Sequence, residues 1–191
     1  MNAELKSYIF AEKEKAKRLP MYDAVRELMK PGDLIEFTSP GIIGAGIRWK
    51  TGMSVNHTGV VITFDQYWPG RLFLIESLES GPVPHMLSDR LLSFKGSAYW
   101  VQLKPQYDDY RNQIAAFCLE DASRDCRYDY AAIIKQLFFK PKKVGHRRLY
   151  CSELAYSACL DAGLPMIPQK YVPYPGGFGA TGCFNQPVRI L

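Results

Sequence analysis

Tyr150-Cys151-Ser152-Glu153-Leu154 is the stretch on which the reading of the fold turns. A basic, irregular segment from Lys140 to Arg148 ends there and an apolar pattern begins. Leu154, Ala155, Ala158, Cys159 and Ala162 recur at the spacing of one helix face. Gly163 then supplies a stop. The pattern predicts a buried helix over Cys151 to Ala162, with Cys151 in its first turn. Backbone N–H groups in a first turn have no partner inside the helix, and the helix dipole favours negative charge beside them. A cysteine held there is favoured as its nucleophilic form, the thiolate.

A thiol nucleophile needs a base. Asn56-His57-Thr58-Gly59-Val60-Val61-Ile62 puts a histidine at the head of a strand expected over Thr58 to Phe64. Leu72 to Glu76 reads as the next strand, and Asp65 to Arg71, with Pro69-Gly70, as the turn between them. In an antiparallel hairpin the start of one strand lies beside the end of the next. Glu76 is then placed to hold one nitrogen of the His57 ring and leave the other for Cys151. Cys151, His57 and Glu76 are the candidate catalytic set. Each also has a plainer reading: a packing cysteine, a satisfied strand-end histidine and an exposed strand-end charge. His85 lies in Gly81-Pro82-Val83-Pro84-His85-Met86, expected to be a loop, and His146 lies in the basic segment. Both rank below His57 as the base. The Tyr150 hydroxyl is a candidate oxyanion contact, and Arg147 and Arg148 are candidates for binding a substrate carboxylate or phosphate.

Around this set the chain divides into three stretches. Residues 1–30 read as a charged helical arm broken at Pro20, residues 31–165 as the catalytic core, and residues 166–191 as a Pro/Gly-rich tail wrapping it. In the core, Pro31-Gly32-Asp33 is a turn and Leu34 to Phe37 a strand. Ser39 to Gly46 is expected to be a glycine-rich loop lining a cleft, since it matches no phosphate-binding fingerprint. Tyr99 to Leu103 reads as a strand, and Tyr107 to Ala122 and Tyr130 to Phe139 as helices.

The 191 residues suffice for one domain with a sizeable core, and 47% apolar with 23% charged residues is an ordinary globular composition. Much of the net charge of +5 falls in the first 30 residues and in Lys140 to Arg148, which argues against a nucleic-acid-coating protein. Five cysteines without a CxxC pair argue against a disulfide framework or a structural zinc site. The residues require no metal and no cofactor. Met1 to Arg18 is charged throughout and resembles no signal peptide, and no run is long enough to span a bilayer. The expectation is synthesis in the cytoplasm, with any work outside depending on a carrier such as a phage particle or a secretion system.

The order Pro31–Phe37 (PGDLIEF), Asn56–Ile62 (NHTGVVI), Phe73–Ser77 (FLIES), Cys126–Tyr130 (CRYDY) and Tyr150–Leu154 (YCSEL) resembles the circularly permuted NlpC/P60 proteins. These are papain-like amidases of the YiiX/YaeF type, related to the lecithin–retinol acyltransferase group. The resemblance covers residues 31–165 and matches Cys151, His57 and Glu76 to the family's catalytic positions. It implies an α+β fold: a permuted papain-like arrangement with a small antiparallel sheet or partial barrel and helices packed on one side. It also implies a cysteine amidase or peptidase acting on peptide or amide bonds, with bacterial peptidoglycan stem peptides as substrate. Two alternatives stay open. A thiol acyltransferase or lipid hydrolase would use the same groups. A non-catalytic module would work through the arm and tail in a larger assembly.

Overall fold

A computed structural model describes residues 3–40, 42–78, 81–123, 151–167 and 172–191. Its strands are β1 (Leu34–Thr38), β2 (His57–Thr63), β3 (Leu72–Leu78), β4 (Gly81–Met86), β5 (Ser97–Val101) and β6 (Val188–Arg189). Its α-helices are α1 (Ala3–Lys17), α2 (Pro20–Val25), α3 (Ile42–Thr51), α4 (Leu87–Ser93), α5 (Arg111–Ser123) and α6 (Cys151–Asp161). The strands form one open sheet in the order β4-β3-β2-β1-β5-β6, and every neighbouring pair is antiparallel. The fold is α+β.

The central strands are apolar on both faces, so both faces must be covered. Leu34, Val60, Ile62 and Ile75 pack with Ile114 and Cys118 of α5 and with Leu154, Ala155 and Ala158 of α6. Ile35, Phe37, Val61 and Leu74 turn the other way and pack with Leu19, Tyr22 of α2, and Leu87 and Leu91 of α4. The expectation of helices on one side is therefore corrected: alternate apolar residues in β1 and β2 demand a helical layer on each.

Asp33 fixes where β1 begins. Gly32 takes a left-handed φ of +82°, which turns the chain into the strand. The buried Asp33 carboxylate then accepts from Trp100 Nε1 (2.8 Å), Leu103 N (3.0 Å) and Arg111 Nη1 (2.7 Å). One carboxylate thus ties β1 to β5 and α5. The helix expected from Tyr107 starts as a 3₁₀ turn, Pro105–Tyr110, kinked at Tyr107.

Two further expectations need correction. The glycine-rich stretch from Ser39 is not a loop throughout, because α3 begins at Ile42. Bonds at its flanks offset the helix cost of its glycines: Arg48 Nη1 donates to Ser39 O, just past β1, at 2.7 Å, and Thr38 Oγ1, at the end of β1, donates to Ser54 O, just past α3, at 2.9 Å. Gly81–Met86 is an edge strand rather than a loop; Pro82 and Pro84 can sit there because an edge position need not donate to a neighbour. The tail, expected to wrap the core, also builds part of it. Val188–Arg189 adds β6 beside β5, and Val172, Phe178, Cys183 and Phe184 enter the core. The helix expected over Tyr130–Phe139 lies outside the described residues.

Candidate active site

His57 and Glu76 meet because of register. Gly59 lies across from Glu76 in the β2–β3 ladder, and His57 is two residues from Gly59 on the same face. The Glu76 side chain leans diagonally along that face, and His57 Nε2 donates to Glu76 Oε2 at 2.7 Å. The Glu76 side chain is 0% exposed and that of His57 12%. On the other strand neighbour of β2, Phe37 pairs with His57 and its ring centroid lies 5.9 Å from the imidazole.

A second cation reaches the same carboxylate. Arg90 of α4 donates from Nε to Glu76 Oε1, and from Nη2 to Oε2 at 3.2 Å. Its guanidinium lies over the rings of Phe37 (5.1 Å) and Phe94 (5.0 Å). Burial alone would push the Glu76 carboxyl up, but the bonds and charges of His57 and Arg90 outweigh it and hold it at about 2. An ionised carboxylate only accepts, so the proton of that ring nitrogen is fixed on Nε2 and Nδ1 is left for another partner.

Helix α6 packs on β2 and β3, and its first residue, Cys151, lies where its side chain acts electrostatically on the His57 ring. Burial pushes the imidazolium down. The negative charge of Cys151, with the bond and charge of Glu76, more than reverses this and carries it up to about 10. The arrangement favours the imidazolium form of His57. Burial pushes the thiols of Cys118, Cys159 and Cys183 up, which keeps them protonated.

The structure thus joins His57 to Glu76 by a hydrogen bond and places Cys151 within electrostatic reach of the same ring. Tyr150, Arg147, Arg148, His146 and Cys126 lie outside the described residues. His85 is held on β4 instead of in a loop, with Nε2 buried, lacking a hydrogen-bond partner among the described residues, and 3.9 Å from Glu76 Oε1. Arg90 is the site residue that sequence reasoning missed. Its only trace is a cation in the short apolar run Leu87-Ser88-Asp89-Arg90-Leu91-Leu92.

A helix-borne cysteine, a strand-borne histidine and a buried carboxylate on an α+β sheet define a candidate thiol-nucleophile site. Among solved structures, the fold is similar to that of the metalloprotein YiiX from Escherichia coli O157:H7, with a TM-score of 0.61 and 15% identity over 85% of this chain and 96% of that one. The likeness is one of fold. No protein-family model and no curated protein matches the sequence. Among the described residues no group of three or more His, Cys, Asp or Glu side chains is placed to hold a metal ion, so the side chains described here do not fit a metal centre. No described helix is long and apolar enough to cross a membrane.

Proposed function

We propose that this chain is a thiol hydrolase that cleaves amide or peptide bonds, with bacterial cell-wall stem peptides as its substrate class. The observation that carries the reading is His57, hydrogen-bonded to Glu76 and electrostatically coupled to Cys151 at the start of α6. His57 takes the Cys151 proton, and the thiolate attacks the carbonyl carbon. The carbonyl π electrons move to oxygen, where the Cys151 backbone N–H, at the first residue of α6, donates to the oxyanion. Collapse breaks the C–N bond, the leaving amine takes the proton from His57, and a thioester remains. Water, deprotonated by His57, then attacks the thioester and releases a carboxylic acid and the Cys151 thiol.

The resemblance of the sequence to permuted NlpC/P60 proteins points to the amide substrate. One observation favours a second reading, a lipid acyl donor. Trp49 on α3 is 88% exposed, and the chain runs from there through the exposed Met53 to His57. Both readings share the thioester, so one experiment separates them: muropeptides and phospholipids offered to the wild type and to Cys151→Ala. The proposal expects muropeptide cleavage that Cys151→Ala abolishes. Full activity in Cys151→Ala would overturn the mechanism, and cleavage of phospholipid alone would overturn the substrate class.

A further inference from the structure

We infer that Arg90 is a positioning residue for the Cys151–His57 pair, acting through its forked grip on Glu76. The inference rests on the thiol-hydrolase reading. Glu76 is fully buried, and a buried carboxyl drifts toward its neutral form unless a cation opposes this. His57 cannot be that cation throughout a reaction cycle, because its proton leaves with the amine. Arg90 can, since a guanidinium stays charged at every working pH. Two N–H groups on two carboxylate oxygens also fix the rotation of the carboxylate, which a single histidine bond does not.

The support extends one layer further. Arg90 lies over Phe37 and Phe94, and Phe37 also touches the ring of His57. One aromatic side chain therefore backs both the imidazole and the cation that secures its acceptor. By drawing on the same carboxylate, Arg90 weakens Glu76 as a base toward His57. The imidazolium proton then stays on His57, available to the leaving amine, and does not slip to Glu76. The titratable and charged groups facing Glu76 among the described residues are His57 from β2, His85 from β4 and Arg90 from α4.

The test is the pH profile of Cys151 alkylation by iodoacetamide, mapped peptide by peptide, in the wild type, Arg90→Gln and Arg90→Lys. In Arg90→Gln the acid limb should move up by about 1–3 pH units, the range by which a cation displaces a neighbouring carboxyl. Arg90→Lys keeps the charge and should recover most of that shift, a rescue that a merely structural role would not produce. A folded Arg90→Gln whose profile superimposes on the wild type would overturn the inference. Should Arg90→Gln fail to fold, carboxyl-carbon NMR of Glu76 in His57→Ala, where Arg90 is the cation still bonded to it, decides. Ionisation persisting below the ordinary 4.5 is expected, and protonation at or above 4.5 overturns the role. An unreactive Cys151 in the wild type would instead sink the hydrolase reading and this inference with it.

Discussion

Exchanging one carboxylate oxygen for an amide NH₂ at Glu76 should reach the thiol through the histidine. The amide side chain would fill the same space, yet it could present a donor to His57 Nε2 and unfix the tautomer that leaves Nδ1 for Cys151. Glu76→Gln should therefore keep the fold and lose about two to four orders of magnitude in kcat/KM on an amide substrate, the scale seen when a triad carboxylate is neutralised. A loss within about twofold would remove Glu76 from the mechanism. The pH dependence follows from His57. Its proton-binding is raised from 6.5 to about 10 in the folded chain, so the imidazolium and the stability it brings are fully present below pH 6.5 and are lost as pH rises through about 10. Turnover, which needs the imidazolium to protonate the leaving amine, should fall through an alkaline limb near 10, while alkylation, which needs only the thiolate, should not fall there. An alkaline limb near 6.5 would show that the Cys151 and Glu76 charges do not act on the ring. His57 and Glu76 were legible in the sequence because a short hairpin turn and period-2 patterning fix a register. Arg90 was not, because its place depends on how a seven-residue helix docks on the sheet.

At the level of elements, what the sequence exposed and what it hid have different physical causes. Strands β1, β2, β3 and β5 and helix α6 were readable because their apolar periodicity is strong and continuous. Strand β4 was hidden by Pro82 and Pro84, which look like loop residues until the edge position is known. Helix α3 was hidden by glycines whose low propensity is offset by bonds at its flanks, from Arg48 to Ser39 and from Thr38 to Ser54. Gly59 is the opposite case: its identity was visible, but its reason was not. A Cβ at this position would lie 2.8 Å from Leu74 Cγ, and Leu74 is fully buried in the layer under α4. Gly59→Ala must push Leu74 or part the β2–β3 ladder that aligns His57 with Glu76. The expected cost is about 1–3 kcal/mol of stability, the usual penalty for overpacking, together with slower Cys151 alkylation. Urea denaturation and the alkylation rate measure the two effects; an unchanged denaturation midpoint would mean that the strands relax at no cost.

Over the whole molecule, two buried glutamates set opposing pH limits on stability. Glu36 lies on β1 at the centre of the sheet, is 2% exposed, and accepts Gly176 N–H at 2.7 Å, which ties the C-terminal segment to the central strand. No cation pairs with it among the described residues. Burial therefore pushes its carboxyl up from 4.5 to about 7, only partly opposed by the Gly176 bond. A raised carboxyl means that the folded chain holds a proton the unfolded chain has released. The stability this brings is fully present below pH 4.5 and is lost as pH rises through about 7. Glu76 works the other way, since its lowered carboxyl gives stability that is present above 4.5 and is lost as pH falls toward about 2. Between them the chain should be most stable near pH 4.5, unlike a protein whose buried carboxylates are all paired. Glu36→Gln keeps an oxygen for Gly176 N–H and removes the titration. Relative to wild type it should be nearly neutral at about pH 4.5 and more stable by roughly 3 kcal/mol above about pH 8, the equivalent of the Glu36 displacement. Urea denaturation from about pH 4 to 9 reads the difference directly. Curves that run parallel across that range would mean that Glu36 ionises in the folded chain as it does in the unfolded one, and that its place at the centre of the sheet carries no electrostatic cost.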